Sequence, residues 1–122
     1  MTIYLGNIQP KFIEIPVAYG KILVLFSDFA TFTFKGTGQN WAYEDVIIDI
    51  RVARQFEKIT ASASLSSIRN VGPSVDAAWA VNNASAFILD PGTIRFSAQV
   101  AISDIDGYLH GISYQIYALA SG

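Results

Sequence analysis

His110 is the chain's single histidine, and Asp104 and Asp106 lie just before it. A catalytic imidazole needs a nucleophile to deprotonate and a partner that orients it. The aspartates supply candidates for the partner, but no serine is marked out as the nucleophile, and the chain has no cysteine. Asp104-Ile-Asp106-Gly107 resembles a fragment of a calcium loop, yet the alternating oxygen ligands and the closing glutamate of a full loop are missing. The stretch is better read as an acidic hairpin turn. Glu14, Glu44 and Glu57 carry carboxylates that no spacing joins into a glycosidase pair. The residue types therefore point to binding, with no enzyme and no cofactor or metal expected.

The side chains best suited to binding are aromatic, amide and guanidinium. Trp41 and Tyr43 follow the flexible, polar Gly36-Thr-Gly-Gln-Asn40, where an aromatic platform beside planar amides would suit a sugar. A tryptophan closing one end of the fold is the competing reading. Trp79 alternates with Ala77 and Val81 and is expected in the core. Arg69 follows a strand in the expected loop Ser66-Ser-Ile-Arg-Asn70, and Arg95 lies outward on its own strand. Either arginine suits ligand hydroxyls, and either suits a surface ion pair. Asn83-Ala84-Ser85 fits a glycosylation acceptor if the chain passes through a secretory pathway.

Bulk properties bound these readings. The chain has 122 residues, enough for a single domain with one core. It is 52% hydrophobic and only 15% charged, which excludes disorder and leaves many surface positions to small polar residues. With a formal net charge of -2 and scattered basic residues there is no footprint for a nucleic acid. The longest apolar run, Ile22–Phe26, is too short for a membrane span. The first residues lack the basic and apolar regions of a signal peptide, so the chain is expected inside the cell, exported by an unconventional route, or starting after processing.

The elements that must position these residues are strands. From Thr93 to Ser103, and again from Gly111 to Ala120, apolar and polar residues alternate with a two-residue period, the mark of strands with one buried face. Strands are expected at 2–6, 12–17, 21–34, 46–54, 58–65, 75–82, 86–89, 93–102 and 109–120. Turn chemistry falls at Gly6-Asn7, Tyr19-Gly20, Lys35–Gly38, Asn70–Pro73, Asn82-Asn83, Asp90–Gly92 and Asp106-Gly107. The expected fold is a single all-β domain, an antiparallel β-sandwich. Val46, Ile48, Ile50 and Val52 should face the core with Asp49 outward. So should Ile59, Ala61, Ala63 and Leu65 in the next strand, and Ile112, Tyr114, Ile116 and Ala118 in the last. Tyr117 and Leu119 then stand on the outer face, which is expected to meet a sister subunit.

Three segments carry a family resemblance. Val52-Ala-Arg-Gln-Phe56 leads into Ile59–Ile68, Val81-Asn-Asn-Ala-Ser-Ala-Phe87 holds an Asn-rich turn before an aromatic, and Ile112–Ala120 is a terminal strand with alternating aromatics. Residues 46–120 thereby resemble the H-type lectin fold family, small sandwiches that assemble as trimers and bind galactose-type sugars, notably N-acetylgalactosamine. The resemblance implies a lectin that contacts glycans through Ser66, Arg69, Asn70, Asp106, Tyr108 and His110, as a homo-oligomer of trimeric order. Residues 1–45 would be extra strands beside that lectin-like core. Lys58 and Ala86 stand where the family has proline and glycine, and Asp90–Gly92 adds a hairpin. A structural or assembly protein with no small-ligand site, such as a fibre, adhesin or capsid-like component, is the alternative.

Overall fold

In a computed structural model, which describes residues 2–73 and 77–121, eight strands carry almost the whole chain. They are β1 (Thr2–Ile8), β2 (Lys11–Pro16), β3 (Lys21–Lys35), β4 (Trp41–Arg51), β5 (Phe56–Asn70), β6 (Ala78–Asp90), β7 (Thr93–Ser103) and β8 (Gly107–Ser121). Two four-stranded sheets face each other, ordered β1-β4-β7-β6 and β2-β3-β8-β5. The chain is an all-β sandwich. The pairings among the described residues are antiparallel, as expected, except that β1 pairs with β4 in parallel. The reason is connectivity: the chain crosses to the other sheet for β2 and β3 before β4 returns beside β1. Residues before 46 supply β1, β2 and β3, and β3 lies inside its sheet between β2 and β8.

Several expected boundaries move. Asn82-Asn83 is no turn: Asn83 takes a left-handed φ of 56° inside β6, where the register with β7 shifts between Asn82 and Ser85. A bulge of this kind bends a strand without ending it, so the two segments expected around it form one strand. Residues 75 and 76 of the expected strand 75–82 lie outside the described residues. Gly6-Asn7 likewise falls within β1, at an irregularity between Leu5 and Ile8. Asp90–Gly92 does turn, held by the Gly92 N–H donating to Asp90 Oδ1 at 2.9 Å.

The inward faces follow the alternation. Val46, Ile48 and Ile50 of β4, Ile94, Phe96 and Val100 of β7, and Ile112, Ile116 and Ala118 of β8 have no exposed surface. Phe96 and Tyr114 touch across the core with ring centroids 5.3 Å apart. The Tyr114 hydroxyl is buried without a hydrogen-bond partner. That burial, reinforced by the charge of Asp28, pushes its pKa up to about 12.

On the outer face of the first sheet one cluster ties three strands together. Asp49, 7% exposed, accepts two hydrogen bonds from Arg95, from Nε at 2.8 Å and from Nη2 at 2.9 Å. The Tyr4 hydroxyl donates to the same carboxylate, and the Arg95 guanidinium lies 5.8 Å from the Tyr4 ring centroid. Arg95 is thus an ion-pair partner within the sheet. Its hydrogen bonds, followed by that of Tyr4, hold the Asp49 carboxyl below the usual carboxylate range.

Two outcomes follow for stability. Tyr114→Phe removes a hydroxyl that makes no bond, so it should be neutral or stabilising by up to about 1 kcal/mol, read as a melting temperature unchanged or a few degrees higher. Asp49→Asn should cost about 2 kcal/mol at neutral pH, because it breaks a charge-assisted pair. A lowered folded-state pKa means that stabilisation is present above the unfolded value and is lost as pH falls through the folded one. Melting curves between pH 7 and pH 2 should therefore converge for wild type and Asp49→Asn at the acid end.

Candidate functional site

The most unusual local geometry lies halfway up the second sheet, where the alternation of β8 slips phase. Ile112 and Leu109 are both fully buried although they stand three positions apart, where strict alternation would put them on opposite faces. The neighbouring strands slip at the same level: β3 between Thr31 and Phe34, β5 between Leu65 and Ile68. Gly111 sits at the slip, where a Cβ would come within 2.7 Å of the Ala30 carbonyl oxygen. Any larger residue would force β8 away from β3. The missing side chain leaves a shallow groove of about 650 Å³ on the outer face.

That groove brings together a wall, a floor and a set of hydroxyls. His110 and Phe29 supply aromatic surface, Gly111 supplies bare backbone, and Thr31, Thr33, Ser66 and Ser67 supply hydroxyls. Phe29 is 68% exposed, a large apolar ring left in water. β3 and β5 flank β8 at a span of about 10 Å, the width of one sugar ring with its hydroxyls.

One end of the groove is charged. The His110 ring lies parallel to that of Tyr108, with centroids 5.8 Å apart and planes at 8°. Tyr108 is paired in register with Lys35 on one side and Arg69 on the other. Lys35 Nζ stands 5.7 Å from the Tyr108 ring centroid. The Trp79 indole donates to the Tyr108 carbonyl at 2.9 Å, which anchors this part of β8 to the opposite sheet. Trp79 itself packs against the core as expected.

Of the residues expected to contact a ligand, Ser66, Arg69, Tyr108 and His110 come together here. Asn70 pairs with Gly107 one step further along, and Asp106 lies at the rim. Residues 66–70 were expected as a loop but form the end of β5, with an irregular register that leaves both Ser66 and Ser67 beside the groove. Asp106 accepts the Val71 N–H through its backbone oxygen at 3.0 Å, and its carboxyl group lies against Gly72. Asp104 Oδ1 accepts the Asp106 N–H at 2.9 Å, while the Asp104 N–H donates to the Gly38 carbonyl at 2.8 Å. These groups build the turn between β7 and β8.

Trp41 and Tyr43 are elsewhere. Both lie on β4, which begins five residues earlier than expected, and both face outward from the first sheet with Asp45. Trp41 is 43% exposed, so it does not seal an end of the sandwich. Its strand partner is Ser103, and Tyr43 pairs with Ala101. These two aromatics share no surface with the groove.

A more enclosed cavity of about 350 Å³ opens at the other end of the sandwich, over the rings of Phe12, Phe26 and Phe56. Its Arg54 is already paired with Glu14 at 3.0 Å. That cation is neutralised, whereas among the described residues Lys35 and Arg69 make no ion pair, and the groove is therefore the better candidate. Phe29, Thr31, Thr33, Lys35 and Ser67 are its residues that sequence reasoning missed. Four of them lie on β3, and only the pairing of β3 with β8 brings them to His110. No protein-family model matches the chain, and neither a curated protein nor a solved structure matches it.

Proposed function

We propose that the protein binds carbohydrate, without catalysis, in the groove over Gly111, and that it does so as one copy of a homo-oligomer. The observation that carries the reading is an exposed aromatic wall beside a side-chain-free floor, with four hydroxyls converging on it. A galactose-type ring has one face of adjacent C–H groups that an aromatic ring covers, while hydroxyl and guanidinium groups take its own hydroxyls. Ser66, Arg69, Tyr108 and His110 are the contacts favoured by both the lectin resemblance and this arrangement.

Copies would meet lower on the same face. Ile13 pairs with Leu25, which pairs with Tyr117, and Ile15 pairs with Leu23, which pairs with Leu119. These six side chains stand on the outer side of β2, β3 and β8. Ile13, Ile15 and Tyr117 count among the exposed large apolar residues. Contiguous apolar surface of this kind marks contact with another protein surface. From Gly111 to Tyr117 the strand runs about 20 Å, so such contact leaves the groove open. The same patch favours a second reading, an assembly protein whose interfaces are its whole function.

Binding of the labelled, folded protein to a broad glycan array separates the two. Saturable binding to terminal galactose-type sugars, weakened about tenfold or more by His110→Ala and unaffected by Trp41→Ala, is the expected result. No binding at any concentration would leave the assembly reading. Leu25→Arg and Tyr117→Asp should reduce the native mass to that of one chain in sizing experiments. A wild-type monomer, or an unchanged oligomer in both variants, would overturn the interface.

A further inference from the structure

We infer that the sugar bound in this groove is acidic, a galactose-type residue bearing a sulfate or carboxylate group, and that Lys35 and Arg69 hold that group on either side of Tyr108. The inference rests on the carbohydrate reading above and deepens it.

Several of the chain's cations are already held in ion pairs. Lys21 is paired with Glu57 at 2.6 Å, Arg54 with Glu14 and Arg95 with Asp49. Lys35 and Arg69 have no carboxylate within ion-pair distance among the described residues. Their register to the two sides of one tyrosine puts both on the outer face, one strand apart from β8 in each direction. Two cations so placed repel each other, and among the described residues neither is neutralised by an ion pair. Of the aspartates in the turn before Tyr108, Asp104 accepts the Asp106 N–H and the Asp106 carboxyl lies against Gly72. The Tyr108 ring offsets part of the repulsion by cation–π contact with Lys35.

Geometry then connects this pair to the groove. Tyr108 precedes His110 by two residues, about 7 Å along the strand. A sugar ring against His110 thus presents a substituent, or the next ring of a disaccharide, to the space between Lys35 and Arg69. Sulfate and carboxylate share the chemistry that this space offers. Both accept the paired N–H groups of a guanidinium and the point charge of an ammonium. A neutral hydroxyl would leave most of that field unused.

The test is calorimetric titration of the full chain with lactose, 6′-sulfolactose and 3′-sialyllactose at low and at high salt. At least one acidic ligand should bind about tenfold tighter than lactose at low salt, with the ratio shrinking as salt rises. Which of the two prevails distinguishes sulfate from carboxylate. In Lys35→Gln/Arg69→Gln the ratio should fall to about one, and in Lys58→Gln, a cation paired in register with Leu119 near the far end of the sheet, it should not change. Circular dichroism and melting of each variant guard against misfolding. Lactose binding equal to that of both acidic ligands would overturn the inference and leave the carbohydrate reading standing. Failure of all three ligands, with glycan-array binding also absent, would overturn both.

Discussion

β8 is the constraint on which the rest of the structure depends. It is hydrogen-bonded along most of its length to β3 on one side and β5 on the other, so neither neighbour can shift without it. Its inward residues, from Leu109 through Ile112, Tyr114, Ile116 and Ala118 to Ala120, are almost completely buried. Burying each large apolar side chain is worth about 1.5–3 kcal/mol. A slip of one residue would turn all of them outward. The strand nonetheless changes phase once, at His110-Gly111, and its register with both neighbours shifts there. A register shift shared by both pairings of β8 at one level is a built feature, and it is what opens the groove.

The two outer faces spend their polar groups differently. On the first sheet Asp49, Arg95 and Tyr4 satisfy one another and lock β1, β4 and β7 in place. Their charges are consumed by structure, and little remains to attract a ligand. On the second sheet Ser64 bonds Ser113 at 2.8 Å, and the Tyr117 hydroxyl bonds Gln115 at 3.0 Å. Among the described residues, the cations beside Tyr108 have no carboxylate partner. A protein with so few charges has little reason to hold two like ones near each other unless a third group of opposite sign completes the set.

Much of this architecture was legible in the chain, and the reason is the two-residue period. Alternation assigns Val46, Ile48 and Ile50, or Ile112, Tyr114 and Ile116, to the core without knowledge of any partner strand. The same rule placed Tyr117 and Leu119 outside together. Alternation says nothing of which strand lies beside which. Lys35, Phe29 and Thr31 could not be joined to His110, because β3 and β8 are at opposite ends of the sequence. Nor does it foresee a bulge: Asn82-Asn83 carries the residue types of a turn, and only the continued pairing with β7 carries the strand through it. Ser66–Asn70 was read as a loop because its small polar residues carry no apolar signal. In the fold the edge position of β5 leaves those residues exposed while β8 supplies their hydrogen bonds. Arg95 shows a third limit. Its outward position was readable, but its partner Asp49 came from a strand paired only in three dimensions.

Groove and apolar patch share one face of one sheet, and this arrangement has a functional logic. A single shallow site with one aromatic wall buries little of a sugar, so its affinity alone is weak. Repetition compensates. Sites fixed by a shared interface engage a multivalent surface with an effective concentration set by their spacing, and avidity rises by orders of magnitude without a new contact. For that to work the interface must not cover the sites, and the sites must point to a common side. A strand of fifteen residues meets both demands, because its outward side chains all face one way and its two ends lie far apart. On the proposed function, Tyr117 and Leu119 near one end and Tyr108 and His110 near the other would be complementary parts of one device, the first multiplying what the second binds.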